Sequence, residues 1–285
     1  MRLAGADVAR AEALLELAGA LALSYDDAGN DPVLEPPPGE APLWPNVIVR
    51  ALFPAHVDVA ALTTVLTDAC GGRVIAIEPL DDERWQAAAR RAPTQRRIGA
   101  RLWLSDARAS SAAQAGEAEV RLAMGLAFGT GDHPTTALCL EWIEAHVRAE
   151  TRLLDYGCGS GVLALAALAL GAAAAWAVDN DGQALTATAD NARLNGVAER
   201  LWLSSPEALP AIAADVVVAN ILAGPLVALA PTLSACAAPG AALVLAGILD
   251  SQREDVMRAY APFCAEFELA ERDGWARITA RRRAG

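Results

Sequence analysis

LLDYGCGSG at residues 153–161, followed by AAAAWAVDND at 172–181, decides how this chain folds. An apolar strand runs into glycines at 157, 159 and 161, a helix follows, and a second strand ends in Asp179. That order describes a pocket for an adenosine-bearing cofactor. Glycines let the backbone approach a ligand, because no Cβ intervenes and positive φ angles are open to them. The Asp179 carboxylate can accept hydrogen bonds from two ribose hydroxyls.

Outward from this stretch, strand and helix patterns alternate at 152–156, 162–170, 174–179, 183–195, 200–203, 215–219, 224–236, 241–247, 250–260, 264–271 and 274–280. Alternation at this spacing predicts a mostly parallel sheet covered on both faces. Such sheets bind ligands beyond the carboxyl ends of their strands. Asp155, Asp179 and Asn220 all stand at strand ends, so one cleft can contain all three. Upstream, 98–105 (IGARLWLS) and 118–123 read as strands paired in a hairpin around ARASSAAQAGE.

Residues 1–80 read as a small α+β unit, with helices at 7–20 and 57–69 and strands at 46–53 (NVIVRALF) and 73–80 (RVIAIEPL). Six prolines within 32–45 make that stretch an extended loop. Residues 81–95 suit a linker with helical tendency, and 96–285 form the large unit.

Composition narrows the function. At 285 residues and 54% hydrophobic content the chain buries a large core. A net charge of −12 argues against nucleic acid as the main partner, since phosphate contacts need clustered cations. All 23 basic residues are arginine. The five cysteines form no CxxC pair, so neither a zinc site nor a disulfide framework is expected, and reduced thiols in a cytoplasmic setting are the default. The acidic and basic residues spread through the first twenty positions do not fit a signal peptide. The apolar run 162–175 is too short to span a bilayer and reads as a buried helix, so no membrane partner is expected.

Several residues carry two readings. Asp155 precedes the turn in a DxGxGxG pattern. It can face the sulfonium and amino-acid end of S-adenosylmethionine, where a pyrophosphate would be repelled, or it can stabilise a helix N-terminus. Asp181 reads as the N-cap of the helix that follows. The loop MGLAFGTGDHPTT at 124–136 is either a flexible cover beside the cofactor or a capped loop, with Thr135 and Thr136 available as caps. His133 has no partner at a recognisable spacing and reads as loop structure. Asn220, in DVVVANILAGPL at 215–226, either orients an amine nucleophile, helped by the carbonyls of Ile221 and Leu222, or is a turn asparagine.

Four segments, GLAFGTGDHPTTALCLEW, LLDYGCGSGVLALAALALGA, VDNDGQALTATADNARLNGV and DVVVANILAGPLVALAP, closely resemble the bacterial family that methylates ribosomal protein L-11, the PrmA family. The later AGILDSQREDVMRAY is similar too. The resemblance is strong over roughly 96–280 and implies a class I S-adenosylmethionine-dependent methyltransferase fold. In that Rossmann-like fold a seven-stranded, mostly parallel sheet follows a small ferredoxin-like domain that holds the ribosomal protein. Motif match places cofactor contacts on Thr136, Gly157, Asp179 and Asn220. Asp155, Gly159 and Phe128 complete the candidate set, Asn220 is also the candidate catalytic residue, and no metal ligand is expected.

Three positions depart from the family pattern. Asp132 stands where the family has threonine, the linker keeps Trp85 but has Ala89 for a second tryptophan, and the first strand of the small domain is missing or reduced to Arg2 and Leu3. The activity implied is N-methylation of lysine side chains, N-terminal amines or both on ribosomal protein L-11, free or on the ribosome. The alternative within the same chemistry is another protein lysine or a small amine. A nicotinamide oxidoreductase would show the third glycine one residue later, and a non-catalytic cofactor-binding module is a further alternative.

Overall fold

The computed structural model describes residues 1–4, 7–29, 44–70, 76–78, 94–123 and 133–284. Two compact units divide the chain, Met1–Arg91 and Ala92–Gly285.

In the first unit β1 (Arg2–Ala4), α1 (Val8–Leu17), β2 (Ala22–Asp27), β3 (Asn46–Leu52) and α2 (Val59–Cys70) follow one another. Strand β3 lies between β1 and β2 and is antiparallel to both. This is the split β-α-β arrangement of ferredoxin-like units. Val8, Ala11 and Leu15 recur at helical spacing and meet Leu3, Val47 and Val49 from the strands. The first strand is therefore present, short as it is, with Arg2 paired to Ile48. Strand β2 is an addition to the sequence reading. Helix α1 ends early because Gly19, at φ +88°, closes it: Ala20 N–H donates to Leu15 O and Gly19 N–H to Glu16 O. The strand expected at 73–80 and the linker at 81–95 lie largely outside the described residues.

The second unit opens with β4 (Gln95–Ile98), β5 (Leu102–Asp106) and β6 (Ala118–Leu122). Here the expected strand 98–105 is broken at Gly99, where φ is +56° and the backbone turns back, so the hairpin is β4–β5. Strand β6 pairs with β5 in parallel. The intervening 107–117 carries the chain back across, tied by Glu119, which accepts from the Ser105 and Ser111 hydroxyls.

The main sheet contains β7 (Arg152–Tyr156), β8 (Ala174–Val178), β9 (Leu201–Ser204), β10 (Ala214–Asn220), β11 (Ala237–Leu249), β12 (Cys264–Arg272) and β13 (Trp275–Arg282). Their order is β12-β13-β11-β10-β7-β8-β9. Strands β7 to β11 pair in parallel, and β13 is antiparallel to both of its neighbours. Helices α3 (Pro134–His146), α4 (Val162–Ala169), α5 (Gly182–Leu194), α6 (Ala223–Ala228), α7 (Ala230–Cys236) and α8 (Arg253–Tyr260) connect them. The helix expected at 224–236 is two helices, because Pro231 in the first turn of α7 can neither donate nor continue the preceding turn.

Alternate strand residues enter opposite cores. Leu153, Val216 and Val218 pack on the α3 and α4 side, while Leu154, Val217 and Ala219 pack under α6, α7 and α8. Burial on both faces explains why these strands are continuous apolar runs. Helix α4 is buried on all sides from Val162 to Leu168, which accounts for its lack of any polar residue. Among the described residues no helix is long and apolar enough to cross a membrane.

Candidate active site

Strand order reverses between β7 and β10, and at such a switch point the loops leaving the two strands diverge and open a crevice. The glycine turn leaves β7 on one side of it, and Asn220 ends β10 on the other.

The turn is held by its neighbours. Gly157 adopts φ +79°, and its N–H and that of Cys158 both donate to Val178 O, at 2.7 and 3.0 Å. A Cβ on Gly157 would overlap the Ile221 side chain. Gly159 N–H donates to Asp179 Oδ2 at 2.9 Å, and Asp179 Oδ1 accepts from Asp181 N–H at 3.0 Å. One carboxylate thus closes the turn while keeping lone pairs on both oxygens. Asp181 caps α5 by accepting from Gln183 N–H at 2.8 Å, as its position predicts.

Asp155 is fully buried. Helix α4 starts at Gly161, whose αL conformation supplies no capping side chain. Asp155 Oδ2 fills that need by accepting from Ala164 N–H at 3.1 Å, three residues into the helix. Its other oxygen, Oδ1, has no hydrogen-bond partner among the described residues. Burial raises the carboxyl from 3.8 to about 7, and the charge of Asp179 adds to the shift. The observed contact is the one the helix N-terminus reading of Asp155 predicts.

On the facing side, Asn220 Nδ2–H donates to Thr136 Oγ1 at 3.1 Å. Thr136 is buried in the first turn of α3. That helix is tied to the sheet by Arg277, which donates to Leu138 O at 2.8 Å, and by Arg272, which holds Glu141 through two bonds at 3.0 and 3.1 Å. Its cap is His133, not Thr135 or Thr136. The His133 ring accepts from Thr135 N–H and packs edge-on against Trp275 at 4.7 Å, and burial lowers its pKa. The ring also lies 2.7 Å from Thr135 Oγ1, so His133 has a side-chain partner two residues along the chain that the sequence reading did not identify.

One of the two carbonyls after Asn220, that of Leu222, is engaged in its own helix. Leu222 O accepts from Leu226 N–H at 3.1 Å as α6 begins. Ile221 O faces Gly247, a bulge residue of β11 at φ +85°, where a Cβ would also lie 2.7 Å from the Ile221 carbonyl carbon. Phe128, Asp132 and the remainder of 124–132 lie outside the described residues.

Gly247 was missed by sequence reasoning, as were Thr188, Asn191 and Asn195 on α5. The available signal was a glycine inside an otherwise uninterrupted apolar strand, and polar residues at helical spacing on the side of α5 that must face the protein.

The profile of the ribosomal protein L11 methyltransferase (PrmA) family matches residues 2–283. The ribosomal protein L11 methyltransferase of Pseudomonas putida is 46% identical over 278 residues, 95% of this chain and 94% of that protein. The chain belongs to this methyltransferase family. The Pseudomonas paraeruginosa relative is likewise 46% identical, over 96% of this chain and 93% of its own length. The crystal structure of a ribosomal protein L11 methylase from Lactobacillus delbrueckii subsp. bulgaricus superposes with a TM-score of 0.60 at 29% identity, covering 67% of this chain and 99% of that one. The fold is the class I S-adenosylmethionine-dependent methyltransferase fold, and the chain is a methyltransferase.

Proposed function

We propose that this chain transfers methyl groups from S-adenosylmethionine to lysine side-chain amines, N-terminal amines or both on ribosomal protein L11. The observation that carries the reading is the pairing, at one switch point, of a glycine turn closed by Asp179 with an Asn220 amide anchored on Thr136.

The residues present fit the cofactor. Asp155 Oδ1 is a buried acceptor without a partner among the described residues, which an amino group donating to it would satisfy. Asp179 retains acceptor capacity for a ribose, and Gly157 and Gly159 bring the backbone close. S-adenosylmethionine supplies a methyl group already activated on a sulfonium. The protein's task is then to align the acceptor amine and exclude water.

The amine must reach the site neutral. A lysine amine has a reference pKa of about 10.4 and an α-amine about 7.7–8.0. Burial and a neighbouring cation both lower these values. Asn220, with its amide hydrogen committed to Thr136, presents its carbonyl oxygen as an acceptor for an amine N–H, which turns the nitrogen lone pair away from that oxygen. No carboxylate is needed as a base, since the proton can leave to solvent. Residues 1–80 hold the protein substrate in this reading. The enzyme works in the cytoplasm, on L11 free or ribosome-bound, without direct nucleic-acid contacts.

The deciding experiment supplies radiolabelled S-adenosylmethionine with free L11 and with ribosomes lacking the modification. Label in L11 is expected. Label in another protein, or in none, would reject the assignment.

A further inference from the structure

Methyl transfer as described leaves unused a row of three polar side chains on α5. Thr188, Asn191 and Asn195 lie three and four residues apart and so share one face of the helix. Thr188 is fully buried and donates to Gly159 O at 3.0 Å. Asn191, 3% exposed, uses both ends of its carboxamide: Nδ2–H donates to Ser160 O at 3.0 Å, and Oδ1 accepts from Ala123 N–H at 3.0 Å. Asn195 accepts from Arg121 N–H at 2.8 Å and donates to Arg121 O at 2.7 Å, so it touches β6 and not the glycine turn.

We propose that Asn191 is the positioning residue of the cofactor turn, its single carboxamide spanning Ser160 O and Ala123 N–H and so holding the turn in register with the end of β6. The inference rests on the glycine turn being the cofactor site. The chemistry demands asparagine. The site needs a donor toward Ser160 and an acceptor toward Ala123 at the same reach, and no ionised or apolar side chain of that size has both. A carboxylate would face the Ser160 carbonyl with no hydrogen between them, whereas a protonated carboxyl restores a donor and an acceptor.

That difference supplies the test. Affinity for S-adenosylhomocysteine is measured by calorimetry across about pH 5.5 to 8 for the parent, N191D and N195D, with melting curves alongside. Asp155, Cys158, Asp179 and Arg121, the ionisable groups around the turn and the end of β6, are common to all three proteins, so each affinity is read as its ratio to the parent at the same pH. N191D is expected to bind at least about tenfold more weakly than the parent at the upper pH and to recover as its buried carboxyl protonates. N195D should follow the parent, although it also loses stability. Parent-like affinity of N191D at the upper pH, or the same loss and recovery in N195D, overturns the proposal. Should N191D not fold there, Asn191→Ser is compared with Asn195→Ser, and equal affinity of those two overturns it. If Asp179→Ala binds as the parent does, the reading of the turn as the cofactor site fails, and that outcome is distinct from failure of Asn191 alone.

Discussion

The amide of Asn220, last residue of β10, donates to the hydroxyl of Thr136 at 3.1 Å and joins two residues 84 positions apart in the chain. Thr136 is 1% exposed on a helix fixed to the sheet by two arginines, so the bond sets the orientation of the Asn220 carbonyl.

Asn220→Ala is therefore expected to lower turnover by on the order of 100-fold, the scale of losing alignment of a reacting group, with cofactor affinity largely retained. Thr136→Val removes the hydroxyl that accepts from Asn220 and should lower turnover less. In the double variant the losses should not add, because both changes act on one carboxamide. Additive losses, read from single-turnover rates, would show that the two residues act separately.

Asp179→Ala removes the partner of Gly159 N–H together with the candidate ribose acceptor. Charged hydrogen bonds contribute about 1.5–3 kcal/mol each, so cofactor binding should weaken by roughly tenfold or more in calorimetry. Unchanged binding would mean that the acid does not meet the ligand.

Asp155 gives a pH signature. Its carboxyl is raised by burial from 3.8 to about 7. A raised acid favours the folded state while protonated, so that contribution is full below the ordinary value and is lost as pH rises through about 7. Asp155→Asn cannot ionise, and its Tm relative to the parent should climb between about pH 4 and pH 8. In the parent, binding of a cationic cofactor should weaken as pH falls below about 7, because the carboxylate is then protonated. A flat profile in both measurements would remove Asp155 from the cofactor's surroundings.

Gly247→Ala places a methyl against the Ile221 backbone at a position of φ +85°. Destabilisation of more than about 1 kcal/mol is expected, together with reduced turnover, since Ile221 directly follows Asn220. Gly157→Ala meets the γ-methyl branch of the Ile221 side chain instead. It should displace that side chain and weaken cofactor binding more than it displaces Asn220. Thermal melts and turnover of the two variants separate these effects.

Much of the site was legible because its parts are local. Gly157, Gly159 and Asp155 sit within one turn, and Asp181 caps the helix that begins beside it. The hairpin was misread because period-two alternation identifies a strand without giving its direction, so 118–122 looked equally suited to either pairing. The same limit hid β2, whose Leu23 and Tyr25 alternate only briefly. The Leu222 carbonyl looked free because its partner, Leu226 N–H, depends on where α6 starts. Asn191 and Asn195 drew no reading from the sequence, since only packing shows that their face of the helix is turned to the protein.

By itself, the sequence determined the fold class, the glycine turn after β7 and the acid that closes it. Apolar runs buried on both faces, and glycines required by positive φ, are properties of neighbouring residues. Only the tertiary structure decided that β10 lies beside β7, that Asn220 reaches Thr136, and that Asn191 spans Ser160 and Ala123. Those pairings join residues far apart in the chain. Strand order and the facing of each helix set them, and neither is encoded in local periodicity.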